Sequence, residues 1–219
     1  MAKAPVIELR QIRHALKVAA VTGQAPLRDV ALLAALYSTG LTPNEAAKLV
    51  VSDYLGVDGS VRVESTLRPE IAFNGKARPL LWANAKAREA LDDYLRYRHK
   101  ARHGISAAHA AYRGLDPLSP LFLGSDGSPF SFTRRVTRTG AISYSCETLN
   151  EIIRRLHTQA GIENGNANAT RRTFAVNLHR QGRSPKVIQT LIGVSSLAAV
   201  KRLVDSDPIT LASVVRGVI

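Results

Sequence analysis

The stretch from Asn168 to Asp207 reads NATRRTFAVNLHRQGRSPKVIQTLIGVSSLAAVKRLVDSD. A double arginine, Arg171 and Arg172, lies near its start, and apolar residues recur at the spacing of amphipathic helices. Glycine interrupts this pattern twice, and a glycine after a periodic run is the usual signal of a helix end. The pattern predicts helices over 170–181, 185–192 and 195–205, followed beyond Pro208 by a short apolar tail, ITLASVVRGVI.

The chain upstream of this stretch is predicted to be mainly helical. The clearest helix start is at Thr42, a good N-cap residue that is followed by Pro43 at the first helical position. Glu45 completes a Thr-x-x-Glu capping box, in which each end of the box satisfies a backbone N–H of the other. Further helices are predicted over 7–20, 27–38, 84–101 and 147–160.

One region has the pattern of strands. Residues 58–83 contain two strand-like runs, and Asn74-Gly75 is a strong tight-turn signal, which together predict a small antiparallel sheet. Residues 104–145 are rich in Gly, Pro and Ser and are predicted to be mainly loop. The expected fold class is therefore mainly α with a small antiparallel β-sheet (α+β).

Composition points to a polyanionic partner. The chain has 219 residues, with 30 Lys+Arg against 17 Asp+Glu and a formal net charge of +13. Such an excess attracts nucleic acid, although a basic protein whose charge only aids solubility is the alternative. The single cysteine, Cys146, excludes an intramolecular disulfide and a cysteine-rich zinc site. Without an apolar run of about 18 residues, a cytoplasmic location is expected, in the bacterial cytosol or on the nucleoid.

Three segments resemble the catalytic domain of the tyrosine recombinase (phage integrase) family. RDVALLAALYSTGLTPNEAAKL resembles its first conserved box, and LRPEIAFNGKARPLLW resembles the hairpin that carries a catalytic lysine. TRRTFAVNLHRQGRSPKVIQTLIGVSSLAAVKRLV resembles the second box, which contains HxxR, LLGHSS and then a tyrosine. The resemblance implies an N-terminal helical segment over 1–26, without a full core-binding domain, an integrase catalytic-like domain over 27–207 and a C-terminal tail over 208–219.

The resemblance implies a chemistry whose residues are largely missing here. Family members attack a DNA phosphate with the tyrosine hydroxyl, while two arginines, a lysine and histidines neutralise the phosphate. Arg171 matches the second arginine, and Lys76 is a candidate substitute for the lysine of the hairpin. No tyrosine lies beyond Tyr144. The other family positions fall on Thr42, Phe73, Asn168, Val194 and Leu203.

These replacements predict a pseudoenzyme that binds double-stranded DNA without cutting it. Its expected role is accessory or regulatory, in transcription, plasmid or element maintenance, or modulation of recombination. For Arg171 the alternative is an internal ion pair that holds its helix. No cofactor and no metal are predicted, because the six histidines show no ligand spacing. The residues predicted to contact DNA are Arg171, Arg172, Lys76, Arg78, Arg134, Arg135, Arg138, Arg154 and Arg155.

Two other functions stay open on the sequence alone. The tail after Pro208 resembles the segment that family members pass to a neighbouring subunit. The chain could therefore be a protein-interaction module that associates with its own copy or regulates an active recombinase. The second alternative is a recombinase with an unusual nucleophile such as Cys146 or Ser206, which no feature of the sequence supports.

Overall fold

The computed structural model describes residues 4–108, 110–136, 140 and 142–205. Arg138, Ser206 and the C-terminal tail therefore lie outside the described residues. Within them, the chain is mostly helical, as the fold class predicted, and it contains two small antiparallel sheets where one was expected. The helices are α1 (Leu9–Thr22), α2 (Pro26–Thr39), α3 (Pro43–Lys48), α4 (Ala85–Lys100), α5 (Glu147–Gln159), α6 (Ala167–Arg180), α7 (Pro185–Ile192) and α8 (Leu197–Val204). The strands are β1 (Glu64–Leu67), β2 (Arg78–Leu81), β3 (Thr133–Val136) and β4 (Ile142–Ser145).

Helix α2 lies at the centre of the fold. It begins with Pro26, ends at Gly40 and packs against α1, α4, α5 and α6. Gly40 adopts a left-handed backbone conformation with φ of 66°. A Cβ at this position would lie only 2.5 Å from Cδ1 of Phe174, so both the backbone and the packing require glycine here. The turn after Gly40 leads directly into the α3 cap at Thr42, where both hydrogen bonds of the predicted capping box are present.

The first sheet pairs β1 with β2, and the predicted turn at Asn74-Gly75 lies within a longer connection than a tight hairpin. Leu67 is the partner of Arg78, so ten residues, 68–77, connect the strands instead of Asn74-Gly75 alone. Gly75 does form a local turn, with φ of 67° and a hydrogen bond from its N–H to the carbonyl of Ala72. Asn74 Nδ2 donates to the carbonyl of Gly193 at 2.5 Å. The connection therefore contacts the end of α7, and this contact places Phe73 next to the C-terminal helices.

The second sheet, between β3 and β4, was not predicted. Arg134 is paired with Tyr144 in the register, and all residues of β3 are exposed. A strand whose residues are all exposed has no buried face, so it lacks the alternation of apolar and polar residues that predicts a half-buried strand. Asn44 anchors the base of the ribbon, since its Nδ2 donates to the carbonyl of Tyr144 and its Oδ1 accepts from the N–H of Cys146.

Two hydrophobic cores meet along α6. The larger core extends from Ile7 in the N-terminal segment to Ala169, and the smaller one begins at Ala175 and includes the buried faces of α7 and α8. The described residues contain no single helix that is long and apolar enough to cross a membrane. Only the pair α7 and α8, bent by 96° at its break, reaches that length and composition.

A buried histidine joins α5 to α2. Nδ1 of His157 lies 2.7 Å from the carbonyl oxygen of Ile153, and Nε2 lies 2.6 Å from the hydroxyl of Tyr37. The neutral tautomer with its proton on Nδ1 fits both partners, because it donates to the carbonyl and accepts from the hydroxyl. Burial lowers the pKa of His157 below its ordinary value of 6.5.

Stability is therefore expected to fall as the pH is lowered below about 6.5. The unfolded chain binds a proton at this histidine in a pH range where the folded chain does not, so acid favours unfolding by up to about 1.4 kcal/mol per pH unit. Urea unfolding at pH 7.5 and 5.5 measures the loss, and H157Q is expected to reduce it. The control H99Q removes an exposed histidine of α4 and is expected to leave the loss unchanged. An H157Q variant with the pH dependence of the unmodified chain would contradict this assignment.

Candidate functional site

The start of α6 fixes the position of the double arginine. The side chain of Asn166 accepts hydrogen bonds from the N–H groups of Asn168 and Ala169, which makes it the N-cap of the helix. Arg171 and Arg172 consequently lie on the first turns of α6. Because successive helical residues differ by about 100° in direction, the two guanidinium groups leave the helix on different sides.

The guanidinium group of Arg171 is held inside the protein. Nη1 donates to the carbonyl of Gly40 at 2.9 Å and Nη2 donates to the carbonyl of Ile192. The group also lies over the ring of Phe73, 4.4 Å from its centroid. Only 11% of the side chain is exposed. Arg171 therefore ties α6 to the end of α2, to the end of α7 and to the β1–β2 connection.

A buried carboxylate supports this arginine. Glu45 is fully buried, and its Oε2 lies 3.1 Å from Nη2 of Arg78 and 4.0 Å from Nη1 of Arg171. The same side chain accepts from the N–H of Thr42 and from the N–H of Phe73. The predicted capping role of Glu45 is thus present, and the residue is also the counterion of two arginines.

Burial has a measurable consequence for Arg171. Desolvation lowers its pKa to about 10, and the positive charge of Arg78 acts in the same direction, whereas Glu45 raises it. The cation is still fully populated at neutral pH. It is, however, less well stabilised than an exposed arginine, so an additional anion beside it would be favourable.

The family positions named in the sequence converge on one pocket. Its volume is about 330 Å³, and it lies where α6, α8 and the α7–α8 connection meet the β1–β2 connection. Thr42 is the exception, since this residue caps α3 and does not line the pocket. No tyrosine occurs among the described lining residues. These are Ala4, Phe73, Asn168, Arg171, Arg172, Val194, Ala199, Arg202 and Leu203.

The other basic residues that the sequence predicted to contact DNA fall into two groups. Arg78 and Arg172 are buried and bound by the protein: Arg78 donates to the carbonyl of Leu191 at 2.6 Å, and Nε of Arg172 donates to the carbonyl of Leu203 at 3.1 Å. These hydrogen bonds hold parts of the fold together. Any contact of Arg78 or Arg172 with DNA stays a prediction.

The second group lies closer to solvent. Lys76 and Arg134 are exposed and form no salt bridge among the described residues. Arg135 pairs with Glu147 at 2.8 Å, Arg154 pairs with Glu151, and Arg155 lies 3.7 Å from Asp29. Their positions spread over the β1–β2 connection, the β3–β4 ribbon and α5, so the structure does not bring all of them to a single cluster.

Arg202 is the lining residue that the sequence analysis missed. It is exposed at the pocket and belongs to α8, next to Leu203. Arg202 directly precedes Leu203, the position of the family's nucleophile, and this neighbourhood could have indicated that Arg202 lines the site. Cys146, in contrast, is fully buried, and burial raises the pKa of its thiol, which disfavours the reactive thiolate. Among the described residues, no group of three His, Cys, Asp or Glu side chains could hold a metal ion.

Comparisons with known proteins agree with the fold. Tyrosine recombinase XerC of Rhodospirillum centenum is 31% identical over 205 residues, which cover 91% of this chain and 49% of the relative. The crystal structure of XerA recombinase has a TM-score of 0.67 at 20% identity and covers 99% of this chain and 64% of that chain. XerH site-specific recombinase bound to palindromic difH substrate, in a post-cleavage complex, has a TM-score of 0.64 at 18% identity, over 98% of this chain and 53% of that chain.

The match in sequence extends over nearly the whole chain. This chain spans about half the length of the curated relative. The likeness to the two solved structures shows that the fold is shared. A family model described as the phage integrase family matches residues 5–208, which include all helices and strands of the structure. The chain belongs to the phage integrase family, whose relatives here are tyrosine recombinases.

Proposed function

We propose that this chain binds double-stranded DNA without cutting it and acts as an accessory or regulatory protein. The observation that carries the proposal is the lining of the pocket. The family's lysine, histidine and tyrosine positions are occupied there by Phe73, Asn168, Val194 and Leu203. An aromatic ring, an amide and two aliphatic side chains surround the place where a phosphate would be activated.

The chemistry of strand cleavage explains why these replacements matter. A nucleophilic oxygen must attack the phosphorus atom, and leucine has no nucleophilic atom. The transition state gathers negative charge on the phosphate oxygens, so donors must converge on it, and each lost donor slows such a reaction by about 100- to 1000-fold. Of the family's donors, the pocket retains Arg171, and this arginine already donates to two carbonyl groups.

Binding of DNA is supported by charge and by the relatives. The net charge of +13 attracts a duplex through counterion release, without sequence information. XerH and lambda integrase, which share the fold, were crystallised on their DNA sites. Lys76 and Arg134 are the best candidates for phosphate contacts, because both are exposed and unpaired among the described residues.

A salt titration tests this proposal. In a gel-shift assay with duplex DNA from about 50 to 200 mM salt, K76Q and R134Q are each expected to weaken binding and to reduce the slope of log K against log salt by about one. K17Q removes the same charge from the exposed face of α1 and serves as the control. Failure of the unmodified chain to bind any duplex at about 50 mM salt would contradict DNA binding.

A cleavage assay tests the second half of the proposal. The unmodified chain is incubated with a suicide substrate, which traps the covalent intermediate when cleavage occurs. The expected result is free DNA or a reversible complex. A protein–DNA band that survives denaturation would show that a nucleophile remains and would contradict the loss of cleavage.

A further inference from the structure

The pocket between α6, α8 and the α7–α8 connection has the properties of a ligand site. Its walls are formed by apolar side chains, including Phe73, Val194, Ala199 and Leu203. A volume of about 330 Å³ lies at the lower end of the range in which pockets hold small organic molecules. A duplex phosphate brings no apolar surface into such a space, so these walls suit a different kind of ligand.

The charge of the lining defines the ligand further. The nine described lining residues include three arginines, Arg171, Arg172 and Arg202, and no carboxylate. The nearest counterion of Arg171 is Glu45 at 4.0 Å, and this carboxylate lies closer to Arg78, at 3.1 Å. The described lining is therefore apolar with positive charge at Arg202 and no carboxylate, and it would stabilise an anion at Arg202.

Arg202 is placed to meet the charged end of that anion. It is exposed at the pocket and makes no salt bridge or side-chain hydrogen bond with another described residue. A guanidinium group that has no partner among the described residues and lies beside apolar walls matches a carboxylate attached to an apolar body, because the carboxylate can be held by two parallel N–H donors. Asn168, which is also exposed, adds an amide donor to the lining.

We propose that this pocket binds a small amphipathic carboxylate, with its apolar body against Val194 and Leu203 and its carboxylate at Arg202. The residues that replaced the family's catalytic groups would then form a binding site for a regulatory ligand. The site does not depend on DNA binding, so it can be tested on the free protein.

Octanoate is a suitable probe, and octan-1-ol is its uncharged control. The full chain is titrated with each while the methyl signals of Val194 and Leu203 are followed by NMR, and the affinity is measured by calorimetry. Octanoate is expected to bind one site and to shift both sets of methyl signals. R202Q is expected to weaken octanoate roughly tenfold without weakening octan-1-ol, since it removes a charge-assisted contact.

Two further variants separate the pocket from the general basic surface. L203W fills the pocket and is expected to abolish binding of octanoate, with circular dichroism confirming that the variant is folded. K201Q removes the neighbouring exposed charge of α8, which does not line the pocket, and is expected to change the affinity less than twofold.

Three results would overturn the proposal. The first is the absence of any shift of the Val194 and Leu203 methyl signals at millimolar octanoate. The second is equal affinity for octanoate and octan-1-ol. The third is an equal loss of affinity in R202Q and K201Q, which would place the carboxylate on the general basic surface.

Discussion

Replacing Glu45 with glutamine is expected to lower the free energy of unfolding by about 3–5 kcal/mol, the range for removal of one partner of a buried ion pair. The carboxylate is fully buried between Arg78 and Arg171. Both guanidinium groups stay ionised in E45Q at neutral pH, because arginine does not lose its proton there. Two like charges would therefore remain in the interior without a counterion. The glutamine amide keeps the size of the side chain, so the loss reports charge more than packing.

Urea denaturation of E45Q and of the unmodified chain measures this effect. The matched control is E151Q, which breaks the exposed pair between Glu151 and Arg154 on α5. Exposed pairs contribute little, so the control is expected to change the free energy of unfolding by less than about 0.5 kcal/mol. A loss below about 1 kcal/mol in E45Q would show that the buried arginines do not need this counterion.

Glu45 shows which contacts a sequence pattern can predict and which it cannot. The capping box is a local pattern within four residues, and hydrogen bonds between Thr42 and Glu45 confirm it. The pairing of Glu45 with Arg78 joins residues 33 positions apart, and no local pattern reveals it. The β1–β2 connection shows the same limit. Asn74-Gly75 does form a turn, but the strand register leaves ten residues between β1 and β2, and Asn74 donates to the distant Gly193.

The predicted site shows the same division. The order of the family's boxes correctly indicated that Phe73, Asn168, Val194 and Leu203 lie near Arg171. The sequence alone could not show that the guanidinium group of Arg171 donates to the carbonyls of Gly40 and Ile192. Those hydrogen bonds depend on where α2 and α7 end in space. The β3–β4 ribbon was missed since its strands have no buried face to give an alternating pattern.

If the proposed loss of cleavage is correct, introducing a tyrosine alone, as L203Y, is expected to give no covalent adduct with a suicide substrate. The hydroxyl would enter a pocket whose other family positions are Phe73, Asn168 and Val194. Thr42, at the position of the family's first arginine, caps α3 outside the pocket. Because each missing donor slows the reaction by about 100- to 1000-fold, even two of these losses lower the rate by about 10,000-fold or more.

The variant that carries F73K, N168H, V194H and L203Y together, which places the missing groups in the pocket beside Arg171, is expected to form the adduct. Its control carries L203F in place of L203Y, which keeps the ring and removes only the hydroxyl, so any adduct that depends on the nucleophile must disappear. Both proteins are compared by denaturing gel after incubation with the same substrate. An adduct from L203Y alone would mean that the remaining groups around Arg171 still stabilise the transition state. The loss of cleavage would then lie in position 203 alone, and the apolar lining of the pocket would be a consequence of that loss and not a second barrier to the reaction.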